Sequence, residues 1–379
     1  MTAVVLAVNP GSASLKVVLR DPEPSLTVDI DRLGAADASW ITDGVSTPYS
    51  ADLPAALRLL ADLLTSKGIR PDAVAHRMVH GGPVFNRATV VTDLVRKELA
   101  ELTAWAPLHL PGELASIDTA RAAWPDAVHI ACFDTAFHHT LPDEARRLPL
   151  PASADALGLR RYGFHGLSVQ SIVDAVPDLG DAVVAHLGSG CSVTAVSCGR
   201  SVHTSMSVTP TSGVMSGTRA GDLDPEIPLL LLAQSGATPD TVRTLLDRQS
   251  GLAGIAGGRH DVRDLLAARD HDPAADLALR VFTRGVAMAV AAAATALPRW
   301  DTLVFTGGVG EHSPDIRDEI CRRLAAVWPT SDPRVLTVPA DEAAVMDRES
   351  RLLLAASDRP EGSPRRPGVA SEDATELGS

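Results

Sequence analysis

Residues Ala3–Asp21 read AVVLAVNPGSASLKVVLRD: an apolar run, a turn of small and hydroxyl-bearing residues, then a second apolar run. That is the pattern of a β-hairpin. Roughly 180 residues later, Asp181–Ser205 repeats the grammar as DAVVAHLGSGCSVTAVSCGRSVHTS, with a third strand expected over Ser201–Thr204. Two similar hairpins so far apart predict an internal duplication, each copy heading one α/β half of the molecule.

Working outward, helices are expected over Pro54–Ser66 and Val95–Trp105, and a short strand over Val128–Asp134 (VHIACFD). In the later half, helices are expected over Pro225–Gln234, Thr238–Arg248 and Asp276–Leu297, then the strand DTLVFTGG and a helix after Ser313. The most apolar stretch, Val286–Leu297, covers about a dozen residues, short of the ~20 that span a bilayer, and reads as a core helix. From Ser357 onward the chain is rich in Pro, Gly, Ser, Glu and Arg, and is expected to be disordered.

The length of 379 residues suits two domains better than one. A net charge of −13 repels phosphate backbones and anionic lipid alike, so neither nucleic acid nor membrane is an expected partner. Four cysteines with no CxxC pair and no basic n-region at the N-terminus point to reduced thiols in a cytoplasm. Among 34 basic residues only Lys16, Lys67 and Lys97 are lysines, which draws notice to Lys16 in the first turn.

Three glycine-rich turns invite a phosphate reading. Asn9–Lys16 (NPGSASLK) gathers hydroxyls and a cation, yet Lys16 opens a strand rather than a helix, so this is no Walker A loop; alone it is an ordinary hairpin. His186–Ser192 (HLGSGCS) lets backbone amides approach an anion. Thr306–Ser313 (TGGVGEHS) lacks the third glycine of a dinucleotide fingerprint, which favours a nucleoside pocket over a Rossmann site.

Six short segments concentrate arginine, histidine and carboxylates: HRMVHGG, APLHLPG, CFDTAFHH, RRYGFHG, SGTRAGDLDP and GRHDVRDL. Arginine forks suit carboxylate and phosphate, and carboxylates suit Mg²⁺, which is the inventory of phosphoryl transfer. One such cluster reads equally as surface ion pairs; six in one chain do not. The histidines are interleaved with arginines that repel a cation, and no HExxH occurs, which argues against zinc.

Together these segments resemble the acetate kinase family, within the acetate and sugar kinase, Hsp70 and actin superfamily, from Val4 to about Arg351. The resemblance implies a duplicated RNase H-like (actin-like ATPase) α/β fold, two domains around a nucleotide cleft, and a homodimer. The expected bounds are 1–137 plus about 343–356 for the acyl-substrate domain and 138–342 for the nucleotide-binding domain. It further implies transfer from ATP to acetate with Mg²⁺, for which Mn²⁺ may substitute.

Carried over by motif, Asn9, Ser12, Ser14 and Lys16 match the first phosphate hairpin, with Asn9 near the metal, and His186, Gly188, Ser189 and Gly190 match the second. Arg77 and Arg219 match the clamp on the carboxylate and the transferring phosphoryl group. His165 matches the donor to that group, Asp134 the cleft aspartate and Glu342 the metal-supporting glutamate. Val79, Leu108, Phe164 and Pro210 match the acyl pocket. Asp261, Val262 and Arg263, with Gly308, Val309, Gly310 and His312, match the adenosine segments.

Several positions depart from the family pattern: Ala13, Leu110, Glu113, Leu167, Val169, Ser189 and His312 replace hydroxyl, asparagine, threonine or histidine residues. None removes a clamp arginine, the cleft aspartate or the donor histidine. The rival expectations are a kinase for propionate or another short acid, and a nucleotide-binding sensor or assembly protein that has lost catalysis.

Overall fold

In the computed structural model, the hairpin at the start of the chain is the seam of a large sheet. The structure describes residues 3–11, 14–21, 23–31, 33, 38–42, 44–50, 52–328 and 334–357. The expectations for Ser12, Ala13 and the tail beyond 357 fall outside them. The first sheet contains β1 (Val5–Pro10), β2 (Ser14–Asp21), β3 (Glu23–Asp31), β4 (Ser39–Thr42), β5 (Val45–Pro48), β6 (Ala73–Met78), β7 (Thr89–Val90) and β8 (Val128–Phe133), in the order β5-β4-β3-β2-β1-β6-β8-β7. The second contains β9 (Ala182–Leu187), β10 (Cys191–Ser197), β11 (Arg200–Thr204), β12 (Thr302–Thr306) and β13 (Arg334–Thr337), in the order β11-β10-β9-β12-β13.

The duplication is visible in this connectivity. In the first sheet β3, β2 and β1 pair antiparallel, then β1, β6 and β8 pair parallel. In the second, β11, β10 and β9 pair antiparallel, then β9, β12 and β13 pair parallel. Each unit therefore runs three hairpin-linked strands and then two crossover strands, with β4, β5 and β7 added to the first. The central strands are buried on both faces, as helix-covered parallel strands are: β1 reads VLAVNP and β12 reads TLVFT, both nearly fully enclosed.

Helices cover these faces for local reasons. The helix Leu53–Ser66 starts where the Asp52 side chain accepts from the Ala55 amide, and it buries Leu57, Leu60 and Leu64 on one stripe. The helix expected to run to Trp105 ends instead at Glu101, and Leu102–Ala104 tightens into a 3-10 turn. The apolar helix, expected over Asp276–Leu297, runs over Pro273–Ala294: it starts three residues earlier because Asp272 caps it and Pro273 fits its first turn, and it ends three residues earlier. With 22 residues and a mean hydropathy of 1.5 it is long and apolar enough to cross a membrane. However, Leu279, Phe282, Val286 and Val290 are buried in the core of the second lobe. After Glu342 the chain returns to the first sheet, where Val345 and Met346 pack against Val5, Ala7, Ala73 and Ala75.

Candidate active site

The site is assembled at the ends of the parallel strands. Arg77 lies next to the end of β6 and pairs in register with Cys132 of β8, so Asp134, just beyond β8, falls beside it. The Arg77 guanidinium grips Asp134 through two bonds, Nε to Oδ1 at 3.1 Å and Nη2 to Oδ2 at 2.5 Å. Its Nη1 donates to Asn9 Oδ1 at 3.1 Å, and Asn9 Nδ2 donates to Glu342 Oε2 at 2.5 Å. Glu342 Oε2 also lies 3.7 Å from Arg77 Nε. Burial by itself would lower the Arg77 pKa, but Asp134 and then Glu342 outweigh it and hold the group above its ordinary value.

His165 comes from the other lobe's approach to this cluster. It occupies a left-handed backbone conformation, φ 59°, rare for a residue with a side chain, directly before the helix Gly166–Ala175. The Gly166 amide donates to the Asp134 carbonyl at 2.8 Å, and a Cβ at Gly166 would sit 2.2 Å from that oxygen. Only glycine allows His165 and Asp134 to be tied this closely. The His165 ring stacks on His186 with centroids 4.1 Å apart, and its Nδ1 lies 3.0 Å from the Ser192 hydroxyl. Burial, reinforced by His186, Arg77 and Arg219, pushes its pKa well below the ordinary histidine value, so the ring is neutral. His186 is likewise lowered by burial, to about 4, with Nδ1 2.8 Å from Ser168 Oγ.

The β9–β10 turn brings the second arginine in. A Cβ at Gly190 would lie 3.2 Å from both Arg219 Nη1 and His165 Nε2, so a bare backbone is what lets the two side chains converge. Arg219 donates to the Pro210 carbonyl at 3.2 Å and lies 3.1 Å from His109 Nε2. Among the described residues it forms no ion pair, and burial lowers its pKa. Asp247 offsets this only through space, and a mostly enclosed guanidinium that forms no ion pair is costly unless an anion completes it.

Arg77, Asp134, His165 and Arg219 all border one cavity of about 70 Å³, whose apolar wall is Val79, Phe164 and Pro210. Gly11, Ser189 and Gly190 also border it, as do His109 and Glu113, neither of which the motifs had assigned a role. Leu108, expected in this pocket, borders instead a neighbouring cavity of about 370 Å³ with Trp105, His109, Pro210, Arg219 and Val242.

The remaining expected residues lie further out. Lys16 is exposed, opposite Asn9 in the β1–β2 register. Gly307–His312 forms a short helix directly after β12, with Gly308 and His312 exposed and Gly310 buried. Asp261 caps the helix Val262–Ala268 and pairs with the exposed Arg263, which lowers the Asp261 carboxyl to about 2. Val262 is buried in the second lobe's core, leaving only its backbone to face a ligand. Among the described residues, no three His, Cys, Asp or Glu side chains gather as a metal cluster.

The model of the Acetokinase family matches residues 4–356. The chain belongs to that family. An acetate kinase of Rhodopseudomonas palustris is 39% identical over 357 residues, covering 88% of this chain and 89% of its own. A propionate kinase of Citrobacter rodentium is 39% identical over 346 residues, covering 86% of each. The crystal structure of a propionate kinase from Francisella tularensis superposes with a TM-score of 0.85 at 28% identity, covering 92% of this chain and 98% of that one. The acetokinase fold is thus the α/β, two-domain actin-like ATPase fold, with the paired three-plus-two sheets as its duplicated cores.

Proposed function

We propose that this acetokinase transfers the γ-phosphoryl group of ATP to acetate, giving acetyl phosphate and ADP. The observation that carries the reading is one small cavity with two guanidinium groups on its wall, Arg77 matched by Asp134 and Arg219 in no ion pair among the described residues. An anion of a few heavy atoms with an apolar end suits it, since Val79, Phe164 and Pro210 supply the apolar wall.

A carboxylate is ionised at neutral pH and needs no general base, so attack on the γ-phosphorus is direct and in line. Arg219 and Arg77 orient the acid and neutralise charge spreading over the equatorial oxygens. For this neutral ring, His165, to donate to the transferring group through Nε2, the Ser192 hydroxyl 3.0 Å from Nδ1 must be the donor of that pair. Asp134 holds the Arg77 fork in plane. Asn9 and Glu342 offer hard oxygen donors of the kind Mg²⁺ takes alongside waters and phosphates, so this pair is read as its support, with Mn²⁺ as substitute. Bound there, the ion supplies charge neutralisation on the triphosphate.

The nucleotide lies against the turns of Gly188–Gly190 and Gly308–Gly310, with Asp261–Arg263 on the adenosine side. The acid side comprises residues 1–137 and about 343–356, and the nucleotide side 138–342. Leu277, Val281 and Met288 form an exposed apolar stripe on the long helix, which supports a homodimer; a reduced, cytoplasmic setting accords with the free cysteines. Hydroxylamine trapping of acyl phosphate with Mg-ATP and a series of acids tests the reaction. No hydroxamate with any short acid would reject it. Faster turnover with propionate than with acetate would favour the alternative substrate, for which the adjoining 370 Å³ cavity provides room.

A further inference from the structure

Glu113 stands where the acid pocket has least need of a negative charge. It lies on the helix Leu110–Ala123, is 4% exposed, and borders the same cavity as Arg77, Arg219 and His165. Its Oε2 accepts from the Val79 amide at 3.0 Å, and Val79 lines the acyl end. Its other oxygen has no hydrogen-bond partner among the described residues and is not one of the fully enclosed polar atoms left unpaired. With Glu113 on the cavity wall, that oxygen is left to the cavity side.

The charged groups around Glu113 do not neutralise it. Arg77, from β6, is already committed to Asp134 and lies against Glu342. Asp134, beyond β8, repels a second carboxylate. His109, on the helix's own N-terminal side, is held neutral by burial, its pKa lowered to about 3, and sits against Arg219. His165 is neutral as well. Burial pushes the Glu113 carboxyl up to about 8, despite the Val79 amide and Arg77. An incoming carboxylate would add a further anion in a space of about 70 Å³, and two carboxylates confined together do not both ionise.

Resting on the acid-kinase reading above, we infer that Glu113 is a positioning residue that holds the Val79 wall through one oxygen and presents a protonated carboxyl to the substrate, so that acid binding is coupled to retention of that proton. The substrate carboxylate enters only when the Glu113 O–H is intact, and once bound it keeps the proton in place. The bound complex therefore stays protonated to higher pH than the free enzyme.

The experiment is a pH series, about 6 to 9, of kcat and KM for acetate in wild type and Glu113→Gln, with KM for Mg-ATP as control. Wild type is expected to hold a constant acetate KM up to about pH 7 and then to approach a tenfold rise per pH unit above about 8, with kcat and the Mg-ATP KM level. Glu113→Gln is expected to keep a low, flat acetate KM across the range. Calorimetry of acetate binding at about pH 8.5, in buffers of different ionisation enthalpy, should show uptake of up to one proton in wild type and none in the variant. A flat wild-type KM, absence of proton uptake, or the same rise in Glu113→Gln would each overturn the inference. Wild-type data alone decide it if the variant does not fold, and an enzyme that makes no acyl phosphate at any pH would reject the kinase reading instead.

Discussion

The two clamp arginines should separate stability from activity. Arg77 is one half of an enclosed ion pair whose Asp134 side chain is only 1% exposed. Arg77→Ala strands that carboxylate together with the Asn9 oxygen, and breaking a buried pair from one side costs about 3–5 kcal/mol. Arg219 has no carboxylate ion-pair partner among the described residues; it donates to the Pro210 carbonyl and to His109 Nε2, and Asp247 acts on it only through space. Arg219→Met removes a desolvated cation and retains much of the side-chain volume, so it leaves stability unchanged within about 1 kcal/mol or raises it. Both variants should lose turnover by about a thousandfold, equivalent to about 4 kcal/mol of transition-state stabilisation. Urea unfolding followed by circular dichroism, beside hydroxamate assays on the same preparations, measures both quantities. If Arg219→Met unfolds as readily as Arg77→Ala, the counter-ion reasoning is wrong; if either keeps near-normal turnover, the clamp is wrong.

Gly190→Ala puts a methyl group 3.2 Å from both Arg219 Nη1 and His165 Nε2, so turnover should fall roughly tenfold or more while urea stability barely changes, read by the same two assays. Gly307→Ala combines a φ of +76° with a Cβ 2.7 Å from the Leu187 carbonyl, and should cost about 1–3 kcal/mol in urea unfolding. Acid should unfold the protein early. Burial lowers His76 and His109 to about 3, His80, His138 and His186 to about 4, and His165 well below its ordinary value. These rings stay neutral in the fold but take up protons when unfolded below about pH 6.5, so stability falls as pH drops from there toward 4, by up to about 1.4 kcal/mol per pH unit for each. Circular dichroism against pH should show cooperative loss near pH 5; a fold unchanged at pH 4 would contradict the burial of these rings.

Local patterns decided much in advance. The hairpins at Ala3–Asp21 and Asp181–Ser205, the capped helix over Leu53–Ser66 and the glycine turns depend on residues only a few positions apart, so their reasons lie on the chain itself. The clusters carrying Arg77, Asp134, His165 and Arg219 were legible because their residue types are costly to bury without a purpose. What the sequence alone did not determine depends on pairings across great separations. Asn9 meets Glu342 from 333 positions away, and Arg219 meets His109 across 110. Strand pairing added β4, β5 and β7 to the first sheet through partners that periodicity does not reveal. That Leu108 borders the larger cavity and Glu113 the small one depends on neighbours brought from other elements, such as Pro210 and Arg219, which lie about a hundred positions away. Which arginine forms an ion pair and which forms none among the described residues is likewise a property of the folded cleft, since charge balance depends on distances that only the tertiary structure sets.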